Sequence, residues 1–455
     1  MKKQLLAITC MLVTFSTQAQ LLGQGGGSYQ ISHAECISPA QQKLIWQDVQ
    51  QNIKTLELKG ALQKSLMAPP KFRWPVKQAG TTYKYVYGIG NYVDHNPAQN
   101  ALQDYNCGTR TYDITGYNHQ GIDIFLWPYP WKMKKEGAAN IVAAAAGTIV
   151  GKYDGNADNN CGFGSGNWNA VYVQHADGSI AWYGHMKKNS LTNKVVGNTV
   201  AIGEKLGKVG SSGNSTGPHL HFEVYNASNT LIDPYQGACN TLNNNSWWKN
   251  QLPYYDSHLN HIATHSTPPV YPSCPTIETT NEATSFVRGN VVYFASYFHD
   301  QVSGSVASYR ITRPNGTTYS SWNNTFSVHY AASYWYWYFT IASNEAVGTW
   351  QYRCIYNGDT IVRNFNITAT ARTVADEPDA NTWLHIYPNI VTDHLHFDYS
   401  IETNTEAHII DATGRLIKTT TLNAMFTETD INVSTIKPGV YMLIVANEKQ
   451  RFIKQ

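Results

Sequence analysis

Turn residues punctuate this chain too often for long helices. From Phe72 to Gly237, and again from Ser273 to Thr370, short apolar and aromatic runs are broken by Gly, Asn and Asp, as at Pro314-Asn315-Gly316 and Asn357-Gly358. The runs at 140–150, 169–175, 179–186 and 219–225 read as strands. One segment alone carries a strong helical period. Ser38-Pro39-Ala40-Gln41 reads as a capping box with Pro in the first turn. Ile45, Val49, Ile53 and Leu56 then fall on one face, and Gly60 can close the helix. That helix either packs on a domain or lies over an active site as a latency segment. With 30 Tyr, 13 Trp and only 14% charged residues, the expected class is mainly β, of an extracellular kind.

A length of 455 residues calls for roughly three to four units. The first nineteen residues read as a signal peptide. Lys2-Lys3 form a basic start, Leu5 to Phe15 an apolar core, and Thr17-Gln18-Ala19 a small-residue cleavage site. The apolar run is too short to span a bilayer, and no later stretch is long enough, so no transmembrane segment is expected. Without Lys2 and Lys3, 31 basic residues balance 31 acidic ones. That balance argues against nucleic acid as a partner. Removal of the leader also leaves six cysteines, Cys36, Cys107, Cys161, Cys239, Cys274 and Cys354. An even number in an exported chain suggests disulfides. Cys274 and Cys354 fall in one expected domain and are the pairing favoured from sequence.

Two short motifs carry chemistry. His119-Gln120-Gly121-Ile122-Asp123 is the first. His219-Leu220-His221 is the second, after the loop Gly210-Ser211-Ser212-Gly213-Asn214-Ser215-Thr216-Gly217-Pro218. On strands, side chains two or four residues apart share a face. Imidazole nitrogens with a carboxylate oxygen suit zinc, and three protein ligands leave a fourth position for water. By spacing alone, both histidines of His219-x-His221 can be ligands. A second copy, His394-Leu395-His396, lacks the glycine-rich loop and is expected to face solvent. His258, His261 and His265 have helix-like spacing in a polar connector and read as surface histidines.

Tyr183-Gly184-His185-Met186 lies between the two motifs. Together, His119-x-x-x-Asp123, Tyr183-Gly184-His185 and Gly213-Asn214-Ser215-Thr216-Gly217-Pro218-His219-Leu220-His221-Phe222-Glu223-Val224 resemble the lysostaphin-type, or LytM-like, zinc metallopeptidases. The resemblance covers roughly residues 72–236. It implies an antiparallel β-sheet catalytic domain and one zinc ion on His119, Asp123 and His221. It makes His185 and His219 the non-ligand catalytic pair, which orient or deprotonate the water and stabilise the tetrahedral intermediate. The implied substrates are peptide bonds in peptidoglycan cross-links or glycine-rich peptides. Two insertions depart from the family, Trp127 to Gly137 and Asp154 to Trp168, and are expected to tune substrate choice. The rival from another class is a catalytically inactive wall-binding or adhesion protein that keeps the fold.

The last segment runs Trp383-Leu384-His385-Ile386-Tyr387-Pro388-Asn389, then Asp411-Ala412-Thr413-Gly414-Arg415 and Ile436-Lys437-Pro438-Gly439-Val440-Tyr441. It resembles the C-terminal sorting domain of type IX secretion, apart from Ile390 where proline is usual. The resemblance implies the type IX machinery as a partner and a secreted or cell-surface location beyond the outer membrane. Foreign peptidoglycan or an extracellular glycine-rich protein is then the expected target. The expected map is a signal peptide (1–19), a helical segment (20–71), the metallopeptidase domain (72–238), a connector (239–272), an immunoglobulin-like β-sandwich (273–370), a linker (371–382) and a small β-sandwich for sorting (383–455). In the middle domain, Trp335, Trp337 and Phe339 alternate with Tyr334, Tyr336 and Tyr338, giving one core face and one tyrosine face.

Overall fold

Strand pairing dominates the computed structural model, which describes residues 21–29, 37–62, 68–114, 117–162, 166–271, 274, 278–369, 383–386, 389–401, 403–424, 428–446 and 448–455. The expected signal peptide, Cys36, the whole 371–382 linker and Tyr387-Pro388 lie outside these residues. Two units divide the chain, Met1–Thr370 and Ala371–Gln455.

In the first unit, the central sheet runs in the order Thr199–Val200, Gly147–Tyr153, Ala170–Gln174, Ile180–Gly184, His219–Tyr225, Gly121–Leu126, Tyr87–Asn91. Its inner strands have no solvent face, so both sides must be covered. One side carries Ile122, Ile124, Leu220, Phe222 and Val224 into the main core. The other carries Tyr172, Trp182 and Tyr225 against the helix Pro39–Leu58. That helix starts as the sequence reads: the Gln41 amide donates to the Ser38 hydroxyl at 3.2 Å. Ile45, Val49, Ile53 and Leu56 are its buried residues. It covers the face that also bears His221, at the Tyr225 end of the strand.

The β-sandwich of this unit packs Leu21–Ser28, Tyr330–Thr340, Val291–Gln301 and His258–His265 on a second sheet, Ser285–Val287, Asp359–Thr368, Gly348–Tyr356, Val306–Thr312 and Thr318–Thr325. Trp337 and Phe339 enter its core, and Trp335 packs partly against it. The glycine-rich strand Leu21–Ser28 pairs with the aromatic run, Gly25 opposite Tyr336 and Gly23 opposite Tyr338. A Cβ at either glycine would stand 2.3 Å from the tyrosine hydroxyl, so the tyrosine face is covered by a strand that must lack side chains there.

Two expectations need correction. His261 and His265 are buried, and His258 is partly so, on an extended strand and not at a helical surface. Polar partners make that burial tolerable: His265 Nε2 meets the Tyr297 hydroxyl at 2.8 Å, and His258 lies between Asp256 and Asp359. Cys274 pairs with Cys161, and Cys107 with Cys239; Cys354 is free. The reason is spatial, because Cys354 is sealed in the sandwich core while Cys274 lies outside it, beside Thr216. The first insertion packs inside this unit. Trp127 and Tyr129 are buried against Tyr271 and Tyr297, joining the central sheet to the sandwich.

The second unit is a small two-sheet fold with its own core, including Leu395, Phe397, Ile409, Leu443 and Phe452. Asp411 closes a turn in it by accepting from the amides of Thr413 and Arg415. No helix among the described residues is long and apolar enough to cross a membrane.

Candidate metal centre

Strand register brings the two motifs together. Gly121–Leu126 runs antiparallel to His219–Tyr225 with Asp123 directly opposite His221. Alternation sends Ile122, Ile124, Leu220 and Phe222 to the core and leaves Asp123 and His221 on the other face. Gly121 is required where it stands, because a Cβ there would lie 2.5 Å from the His221 ring. His119 arrives just before the strand. Its ring stacks on Tyr112 at 4.4 Å between centroids.

Hydrogen bonds fix which ring nitrogens face inward. His119 Nδ1 donates to the Tyr92 carbonyl at 2.7 Å, and Nε2 lies 3.2 Å from Asp123 Oδ2. His221 Nε2 donates to Glu223 Oε2 at 3.2 Å, and Nδ1 lies 3.0 Å from Asp123 Oδ1. The Asn91 amide donates to Asp123 Oδ2 at 2.9 Å. Burial alone would raise the Asp123 pKa, but the imidazoles of His119, His219 and His221 outweigh it and hold the carboxyl well below the usual range.

One ligand atom each from His119, Asp123 and His221 lies within 4.8 Å of the others, and all three residues are buried. Among the described residues this is the one such group able to hold a metal ion. Two imidazole nitrogens and one carboxylate oxygen suit zinc with an open position. Glu223, Asn91 and the Tyr92 carbonyl orient the three ligands from behind. Sequence reading missed these supports. Glu223 could have been found, since it lies two residues beyond His221 on the same strand face. Asn91 and Tyr92 carried no local signal.

His185 and His219 stand at the mouth, with ring centroids 4.3 Å apart. His185 adopts a left-handed backbone, φ 56°. Its Nδ1 donates to the Ser212 carbonyl at 2.6 Å, and His219 Nδ1 donates to the Gly217 carbonyl at 2.8 Å. Both Nε2 atoms are thereby the ones available for chemistry, and His219 Nε2 lies 3.6 Å from Asp123 Oδ1. The 210–218 loop thus aims both rings. The second insertion grips that loop. The Asn160 amide donates to the Ser211 carbonyl at 3.0 Å and Ser211 Oγ to the Asn160 carbonyl at 2.8 Å, while the Asn160 side chain donates to the Gly213 carbonyl at 2.9 Å. The Cys161–Cys274 disulfide fastens the grip. Trp168, which ends the insertion, packs edge-on against His185 at 5.1 Å.

Known proteins match this region and the C-terminal unit. Residues 117–234 match Peptidase family M23, and residues 385–455 match a secretion system C-terminal sorting domain. The DD-carboxypeptidase/endopeptidase Mpg of Neisseria meningitidis is 48% identical over 56 residues, 12% of this chain and 12% of that protein. The glycyl-glycine endopeptidase ALE-1 of Staphylococcus capitis is 32% identical over 139 residues, covering 30% of this chain and 33% of its own length. The peptidoglycan DD-endopeptidase ShyC of Vibrio cholerae is 30% identical over 98 residues, 22% of either chain. The chain therefore spans a third or less of each of these relatives.

Proposed function

Starting from an M23 peptidase domain joined to a C-terminal sorting domain in one chain, we propose that this protein is an exported zinc endopeptidase that hydrolyses peptide bonds in peptidoglycan cross-links or other glycine-rich peptides. The observation that carries the reading is the convergence of His119, Asp123 and His221 within 4.8 Å, with His185 and His219 beside them.

His119 Nε2, Asp123 and His221 Nδ1 would hold one zinc ion. Zinc at such a site supplies Lewis acidity, polarising a carbonyl and lowering the pKa of a water to about 7. His219, with Nδ1 committed to the Gly217 carbonyl, offers Nε2 to take a proton from the attacking water. His185, held through Nδ1 by the Ser212 carbonyl, would stabilise the oxygen on which charge develops as an imidazolium, donating from a protonated Nε2. Trp168 and Tyr112 line these rings with apolar surface, which strengthens each electrostatic contact.

The sorting domain indicates secretion or display at the cell surface. Passage through the type IX machinery after a cleaved signal peptide is the route we assign, and it places the enzyme beyond its own wall. Foreign peptidoglycan or an extracellular glycine-rich protein is then the substrate. Relatives named as glycyl-glycine and peptidoglycan endopeptidases support that choice. The inactive wall-binding alternative is disfavoured because every ligand position keeps a ligating side chain.

Digestion of purified muropeptides and of polyglycine, with mass spectrometry of the products, tests the reading. Zinc-loaded protein should release new amino termini and chelated protein none. Intact substrate in both arms would return the protein to the wall-binding class.

A further inference from the structure

Away from the metal centre, the outer face of the second sandwich sheet holds a polar cleft of about 380 Å³. Strand alternation makes it: Ala307, Tyr309 and Ile311 point into the core, so Ser308 and Arg310 point out. On the flanking strands, Asn323 lies opposite Ser308, Ser321 opposite Arg310, and Arg353 opposite Arg310 from the other side. All of these residues line the cleft, together with Trp322.

Two guanidinium groups in direct cross-strand register repel each other. Two arginines of this unit are neutralised, Arg313 by Glu345 at 2.7 Å and Arg110 by Asp300 at 2.7 Å. Among the described residues, neither Arg310 nor Arg353 enters an ion pair. Arg310 is held in place by Thr318 Oγ1, which accepts from Nε at 2.9 Å and from Nη2 at 2.6 Å. Arg353 Nε is a buried donor with no acceptor among the described residues. Buried donors of this kind are costly unless a partner supplies the acceptor. The remaining lining is hydroxyls and an amide, and it contains no carboxylate.

We propose that this cleft binds a carboxylate, with Arg310 and Arg353 flanking the anion and the hydroxyls of Ser308 and Ser321 completing its shell. Arginine's planar fork matches a carboxylate's two oxygens, which favours this anion over a spherical one. That the carboxylate belongs to wall material, either the free terminus of a stem peptide or the lactyl group of a muramyl sugar, rests on the function proposed above. The sandwich would then hold the wall while the central sheet cuts it.

The test is titration of the chelated full-length protein, followed by the Asn323 side-chain amide resonance, which Asn323→Ser assigns. Diacetyl-Lys-D-Ala-D-Ala, its C-terminal amide and N-acetylmuramic acid are the probes. A carboxylate probe should shift that resonance, the amide should not, and Arg353→Gln or Arg310→Gln should each weaken the shift at least tenfold in probe concentration. A shift with the peptide acid alone, or with the sugar alone, supports the site and identifies the source. No shift with either acid, equal shifts from acid and amide, or unchanged titration in the double variant would overturn it. Because no metal is present, this outcome is independent of whether the zinc-loaded protein hydrolyses anything.

Discussion

The chain holds nearly the same five residues twice, His219-Leu220-His221-Phe222-Glu223 and His394-Leu395-His396-Phe397-Asp398. Both copies are strands, and in both Leu and Phe enter a core. The histidines differ in what stands across the sheet. Opposite His221 is Asp123, buried and flanked by His119, so three donors meet in a buried site. Opposite His396 is Asp430, which bonds His394 at 2.7 Å, but the two side chains of that pair are about half exposed at 48% and 49%. Solvent and chain entropy leave such a pair worth little. A strand motif becomes a metal centre only when the neighbouring strand and the loop before it deliver the rest.

That contrast can be broken in four ways, from large effect to small. His219→Ala should keep the metal and lower turnover by roughly 10²–10⁴-fold, the usual worth of a positioned base; loss of metal would make His219 a ligand instead. Glu223→Gln should weaken zinc affinity by about 10–100-fold in a competition assay with a chromophoric chelator, since it removes the carboxylate that orients His221. Replacing Cys161 and Cys274 together by Ser should lower kcat about tenfold with zinc content intact, as the 210–218 loop loosens its aim on His185 and His219. Unchanged kcat would show that the hydrogen bonds of Asn160 suffice.

The smallest effect concerns a histidine of intermediate burial. His258 faces Asp256 and Asp359, with His299 behind. Burial lowers its pKa, but the two carboxylates more than offset this and raise it to about 9. A folded pKa above the unfolded value means the stabilisation is complete below about pH 6.5 and is lost as pH rises through 9. The melting temperature should fall by ~2 °C or more between pH 6.5 and 9.5. His258→Gln should flatten that slope.

Much of this was legible locally. The helix at Pro39–Leu58 announces its cap, its period and its end in consecutive residues. The candidate trio was legible because each motif is short and local, and its resemblance to a known family implied which histidine of His219-x-His221 would be a ligand. Long-range pairing was not. Nothing near Cys274 says that Cys161, far along the chain, lies beside it. His261 and His265 read as polar surface because the groups that satisfy them, Glu282 and Tyr297, come from other segments. The need for Gly23 and Gly25 shows only once Tyr336 and Tyr338 are seen lying across them.

Zinc stoichiometry after chelation and reloading tests the central claim most directly. By equilibrium dialysis, the protein should bind one zinc per chain, His221→Ala should bind none tightly, and the double variant His394→Ala/His396→Ala should still bind one. A full equivalent retained by His221→Ala, or lost from the His394/His396 variant, would contradict the account.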